Sequence, residues 1–258
     1  MLPMDKRYTV LVGNYGSGKT ELAIAIARRQ RAREPKGRIA LVDLDIVNPY
    51  FRSAEQHALL EAEGIEVFMP SFAMSTVDIP ALPAQIQAVF EQPYAHVVID
   101  VGGDDTGATA LGRYAPYTRA LRDEMNVLYV VNPCRPFSSS VEDITGLYRL
   151  IERQARLTPD HLVNNANLQE HTTPEVLLAG QELLQQAAAQ LSSLSYRRHR
   201  LAISTVNWYK YLTDAMPKGI QRGMIFKLAV VAGMGREETL ELLLACGQIR
   251  EKTKKGGW

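Results

Sequence analysis

The sequence is poor in cysteine, in charge of one sign and in long apolar runs. Its two cysteines, Cys134 and Cys246, stand apart and form no CxxC pair. That rules out a disulfide framework and argues against a cysteine-held zinc or iron–sulfur centre. It suits a reducing cytosol, so a cytoplasmic protein is expected. Lys plus Arg number 29 and Asp plus Glu 28, for a net charge of +1. Such a balance is not that of a nucleic-acid coat or a membrane-surface binder, and nucleic acid is not an expected partner. The most apolar late stretches, Phe226 to Met234 and Leu240 to Cys246, are shorter than the ~20 residues of a membrane span. No signal peptide is read ahead of the first apolar run at Tyr8. No Gly-, Ser- or Pro-rich linker, internal repeat or low-complexity block divides the chain.

What is present is an apolar run, a turn and a helical stretch, repeated. With 258 residues, 46% of them hydrophobic and 22% charged, the chain has ample material for a large core. Strands are expected at Tyr8 to Val12, Ile39 to Val42, Ile65 to Met69, His96 to Val101, Asn126 to Val131, Leu162 to Val163 and Leu201 to Val206. Helices are expected over Thr20 to Arg33, Ser53 to Glu63, Pro83 to Gln92, Thr109 to Arg122 with a kink or break at Pro116, Val141 to Arg156 and Glu175 to Leu194. Strands apolar on both faces, alternating with helices, predict an α/β fold: a mostly parallel sheet with helices on both faces. Residues 1–206 are expected to form this domain. Residues 207–258 read as a helical C-terminal extension packed on it, with the aromatic clump Trp208 to Tyr211 at the junction.

Gly13-Asn14-Tyr15-Gly16-Ser17-Gly18-Lys19-Thr20 matches the phosphate-loop pattern G-x-x-x-x-G-K-[ST], with a strand before it and a helix after it. Glycines let the backbone curl until successive N–H groups point inward. Those donors and the positive end of the helix hold a polyphosphate. Lys19 places a charge on the β and γ phosphates, and Thr20 offers a hydroxyl to Mg²⁺.

Ligands of open α/β sheets gather at the carboxyl ends of strands. Two acidic segments fall there. Asp100, followed by Val101, Gly102 and Gly103, can hold the metal through water, or it caps the next helix. The Gly pair lets backbone approach a γ-phosphate. Asp43 and Asp45 fall on one side of an extended strand. One can contact the metal shell while the other orients water; the alternative is two solvated or capping carboxylates. Asp78, Asp104 and Asp105 read as turn or cap residues.

Together these segments resemble the MinD/ParA group of P-loop ATPases, part of the SIMIBI class, over Tyr8 to Val206. The resemblance implies a parallel sheet and Mg²⁺-dependent ATP hydrolysis; the group dimerises around nucleotide, and for this chain a homodimer is open but not implied. It also implies that Asp45 is the catalytic Asp of switch I, and that Asp100 is the metal-side Asp of switch II. Asn132-Pro133 with Ser139, Val141 and Asp143 resembles the group's segment after the fifth strand. That group carries a lysine directly after the first Gly of its loop, reaching the partner's nucleotide. Here the position is Asn14, short and neutral, and Tyr15 replaces the usual Gly. Arg52, Arg113, Arg119 and Arg135 are candidates to supply the missing charge, though arginines are mostly surface residues.

The base-reading turn of related GTPases is N-K-x-D. The corresponding run here, Asn164-Asn165-Ala166-Asn167, lacks the Lys and the Asp. Guanine loses its two-acceptor carboxylate, so ATP is the expected nucleotide, with Asn164 able to pair with adenine; a plain polar turn is the alternative. The chain therefore reads as a slow ATPase switch for a protein partner, with Lys19, Asp45 and Asp100 catalytic. A phosphotransferase and a nucleotide-binding scaffold remain as alternatives. The basic clusters Tyr196 to Arg200 and Lys252 to Lys255 read as solvated faces.

Overall fold

The computed structural model describes residues 5–45, 54–69, 84–103, 105–194 and 202–205. Arg52, Asp78, Asp104, the basic cluster at 196–200 and the expected helical extension lie outside these residues. So does the expected boundary after residue 206.

Fourteen strands and α-helices are described. They are β1 (Tyr8–Val12), α1 (Lys19–Arg33), β2 (Ile39–Leu44), α2 (Ala54–Ala62), β3 (Ile65–Phe68), α3 (Ala84–Glu91) and β4 (His96–Val101). Then come α4 (Asp105–Gly112), α5 (Ala115–Ala120), β5 (Met125–Val131), α6 (Val141–Ala155), β6 (His161–Asn164), α7 (Pro174–Leu194) and β7 (Ala202–Thr205).

The chain divides into two compact units. The larger holds the described residues of Pro3–Val130 and Glu142–His161. Its strands run in the order β3-β2-β4-β1-β5, each neighbouring pair parallel. Every residue of β1, β2, β4 and β5 is buried. A strand shows its side chains alternately to its two faces, so an unbroken buried run means that both faces are covered. Helix α1 packs on β4 and β2, and α4 also lies on β2 and β4. The result is the expected α/β fold, a parallel sheet flanked by helices.

The strand order decides where the chemistry collects. The chain leaves β1, skips a place to build β2 and β3, and returns to insert β4 between β2 and β1. Asp43 thereby pairs in register with Asp100, and Leu11 pairs with Asp100 on the other side. Neighbouring strands lie about 4.8 Å apart. The carboxyl ends of β2, β4 and β1 thus stand side by side, although they are far apart in the chain.

The helix expected over Thr109 to Arg122 is corrected. It begins earlier, at Asp105, and is divided into α4 and α5 with Arg113 and Tyr114 between them. The division falls just before Pro116, where a kink or break is expected: a proline denies the helical hydrogen bond to the carbonyl four residues back, here that of Gly112, the last residue of α4. Pro116 itself sits in the first turn of α5, where its missing N–H has no helical acceptor to lose.

The smaller unit gathers the described residues of Val131–Val141 and Leu162–Trp258. In it β6 and β7 are neighbours. Asn132 joins the loops after β5 and β6. Its Oδ1 accepts the Cys134 and Asn167 N–H groups, each at 3.1 Å, and its Nδ2 donates to the Asn167 carbonyl at 3.2 Å.

Candidate functional site: a phosphate loop flanked by two acidic strand ends

The loop 13–20 connects β1 to α1 in the larger unit. Gly18 caps α1 with φ 86° and ψ 23°, a left-handed conformation that costs other residues about 1 kcal/mol or more. No side chain caps this helix end. The positive end of the helix dipole at this start favours an anion. Lys19 is 7% exposed, and its Nζ donates to the Asn14 carbonyl at 2.9 Å. That bond holds the ammonium over the loop. The Ser17 N–H closes the turn on the same carbonyl at 3.3 Å.

Thr20, at the start of α1, donates its hydroxyl to Asp100 Oδ2 at 2.6 Å. The other carboxylate oxygen of Asp100, Oδ1, is buried with no hydrogen-bond partner among the described residues. Burial pushes the Asp100 carboxyl up to about 6; the Lys19 charge and the Thr20 hydrogen bond oppose the rise, and the Asp45 charge adds to it. A buried carboxylate with one oxygen unbonded is costly in a protein interior unless a cation or donor meets it. A hydroxyl and a carboxylate in contact are hard oxygen donors of the kind Mg²⁺ takes, and Mg²⁺ keeps most of its water and so needs few protein ligands. The residues present fit that ion. Among the described residues there is no cluster of three or more His, Cys, Asp or Glu that could hold a metal.

Asp43 and Asp45 do different work. Asp43 is fully buried, and its Oδ1 accepts the Asp45 N–H at 2.8 Å. It fixes the end of β2 from inside. Asp45 is half-buried and close enough to Asp100 to act on it electrostatically. Of this pair, Asp45 is the carboxylate with access to the site.

The turn after β4 touches both neighbours. A β-carbon built on Gly103 would stand 2.5 Å from the Tyr15 nitrogen and 2.9 Å from the Asn14 carbonyl carbon. One built on Gly102 would stand 3.4 Å from Asp45 Cγ. Backbone at 102–103 is thus packed directly on the phosphate loop and on the acidic end of β2. The sequence marks these glycines as permissive; it does not reveal that they are squeezed.

Lys19, Thr20, Asp45, Asp100 and Gly103 are thus brought together, as their sequence positions suggest. Arg113, Arg119 and Arg135 are exposed. Asn164 belongs to the smaller unit and is fully buried. Its Nδ2 donates to the Leu177 carbonyl at 2.9 Å, and its Oδ1 accepts the Ala166 N–H at 3.0 Å. The expectation that this amide meets an adenine edge finds both its ends engaged within its own unit. The structure instead gives it the polar-turn role, tying β6 to α7.

No family model matches the chain, and no curated protein matches it. Among solved structures, FlhF complexed with GTP and Mg²⁺ aligns with 79% of this chain and 67% of its own, at 14% identity and a TM-score of 0.44. FlhF complexed with GMPPNP and Mg²⁺ aligns with 80% and 68%, at 17% identity and a TM-score of 0.45. FtsY from Mycoplasma mycoides aligns with 72% of this chain and 59% of its own, at 15% identity and a TM-score of 0.44. These neighbours are FlhF and FtsY proteins, not MinD or ParA proteins. Likeness at this level is compatible with many activities.

Proposed function

We propose that the chain binds a nucleoside triphosphate with Mg²⁺ at residues 13–20 and hydrolyses it slowly, as a nucleotide-driven switch for a protein partner. One observation carries the reading: the Thr20 hydroxyl, at the start of α1, is bonded to Asp100, whose second oxygen is buried with no hydrogen-bond partner among the described residues. In this reading, backbone N–H groups of the loop and Lys19 hold the β and γ phosphates. Thr20 and Asp100 hold Mg²⁺, which when bound neutralises phosphate charge. Asp45 orients the attacking water from the neighbouring strand end, and Gly103 brings backbone against the loop. These are positioning and electrostatic contributions, the main ones available in phosphoryl transfer.

For the base, the reading favours adenine because no carboxylate occurs in Asn164 to Asn167 to accept the two guanine donors. The FlhF structures were solved with guanine nucleotides or their analogue, so guanine is the competitor to measure. Asn164 is not assigned to the base.

Thermal unfolding tests the reading. Saturation at about a hundred times Kd stabilises a binding protein by about 2.7 kcal/mol, a melting rise of about 5–10 °C at this size. Mg–ATP should give that rise in the wild type and not in Lys19→Ala. An unchanged melting temperature with both Mg–ATP and Mg–GTP removes the proposal. A rise with Mg–GTP alone removes the adenine preference. Release of phosphate without an added acceptor separates hydrolysis from phosphotransfer.

A further inference from the structure

Asn14 occupies the place where the resembled ATPases carry a charged lysine, and its contacts point inward. The Asn14 Oδ1 accepts the N–H of Tyr15 at 2.8 Å. The Asn14 carbonyl accepts both Lys19 Nζ at 2.9 Å and the Ser17 N–H at 3.3 Å. Its carbonyl carbon is also one of the atoms against which Gly103 is packed. One half-buried residue thus meets the loop's own backbone, its lysine and the turn after β4. Tyr15 beside it is 70% exposed, so packing of its ring does not hold this stretch. The hydrogen bond from its neighbour fixes its amide.

We propose that Asn14 is a positioning residue: its carboxamide pins the Tyr15 amide and so holds the phosphate loop and Lys19 in the phosphate-binding arrangement from within the same chain. This rests on the function proposed above and deepens it. A trans-acting lysine completes its partner's site, and so ties function to dimerisation. An intraloop brace orders the cradle before the ligand arrives, which lowers the ordering cost of binding. It also takes the Tyr15 N–H out of the set of phosphate donors and leaves this flank of the loop neutral. Nucleotide affinity should then be independent of protein concentration.

The test combines two variants with two measurements on the full chain. A neutral hydrogen bond contributes about 0.5–1.5 kcal/mol net, or about two- to tenfold. Asn14→Ala should speed hydrogen exchange of the Tyr15 amide in the ligand-free protein, read by NMR, by about that factor. It should weaken Mg–ATP, measured by calorimetry, by a similar factor. Asn14→Asp keeps an acceptor for the Tyr15 amide but adds a negative charge beside the phosphates. It should preserve Tyr15 protection yet bind Mg–ATP more weakly than Asn14→Ala does, a split that a simple loss of stability would not produce. Wild-type exchange at Tyr15 in Asn14→Ala overturns the brace. Wild-type affinity in Asn14→Ala, or affinity that rises with protein concentration, overturns the positioning role. If the wild type binds no nucleotide, the function proposed above fails and takes the positioning role with it. Tyr15 exchange then still decides whether the brace exists.

Discussion

Thr20 and Asp100 lie 80 positions apart in the chain and meet in a 2.6 Å hydrogen bond. The bond exists because β4 is inserted beside β1, so that the helix leaving one strand starts next to the end of the other. Replacing Thr20 by Val keeps the shape and removes the hydroxyl. Hydrogen bonds to charged groups contribute about 1.5–3 kcal/mol, so Mg²⁺-dependent nucleotide affinity should fall by about ten- to a hundredfold. Calorimetry with Mg²⁺ and with a chelator present checks this. An equal response to Mg²⁺ in wild type and Thr20→Val would separate the pair from metal binding.

Asp45→Asn should separate binding from turnover. The amide keeps the shape at the end of β2 but cannot accept a proton from water or orient it as a carboxylate does. Turnover under saturating nucleotide should fall by about a hundredfold, the scale of a lost general acid–base or water-orienting group. Nucleotide affinity should change far less. A variant that hydrolyses at the wild-type rate places the water-orienting group elsewhere.

Gly103→Ala should be felt at the loop, not only at the turn. The added methyl would fall 2.5–2.9 Å from three backbone atoms of Asn14 and Tyr15, none of which can swing aside as a side chain does. Overpacking of this kind costs about 1–3 kcal/mol. Both the melting temperature and the nucleotide affinity should drop. A drop in stability with unaltered affinity would mean that the contact is structural alone.

His96 sets an acid limit on stability. It is 3% exposed, its Nε2 lies 3.0 Å from Thr9 Oγ1, and its Nδ1 is near Gln30. Burial, with a smaller push from Arg33, lowers its pKa to about 4 from an ordinary 6.5. The folded chain therefore favours the neutral ring. The stabilisation is complete above pH 6.5 and is lost as pH falls from 6.5 towards 4, by about 3 kcal/mol over that window. Urea unfolding at pH 7 and pH 4.5 should show the loss, and His96→Gln should flatten it. Identical slopes in the two proteins would assign the acid sensitivity to other groups.

Local patterns made most elements legible in the sequence. β4 was readable residue for residue, because His96 to Val101 is an unbroken β-rich run closed by glycines. The phosphate loop was readable because its chemistry lies in eight consecutive residues. What the sequence hid depends on pairing across the chain. β2 reads as ending at Val42, yet it extends through Asp43 to Leu44, because those residues pair with Asp100 and Val101 of β4. That extension separates Asp43, which braces the strand, from Asp45, which faces the site; alternation alone placed both carboxylates on one side and could not rank them. Asn164 was legible as an amide at a strand end, but its burial under α7 depends on Gly180, where a β-carbon would stand 2.7 Å from Asn164 Oδ1. The break in the helical stretch after β4 is legible from Pro116, whereas its start at Asp105 rather than Thr109 is not marked by any local signal of that kind.

The Asn132 clamp has a thermodynamic corollary for the smaller unit. One side chain bonds the loop after β5 and the loop after β6 at three points, so neither can fluctuate independently of the other. Conformational freedom of the two segments is surrendered together during folding. A molecule that settles on either loop would meet a platform already stiffened on both sides, and its association would forfeit correspondingly less entropy.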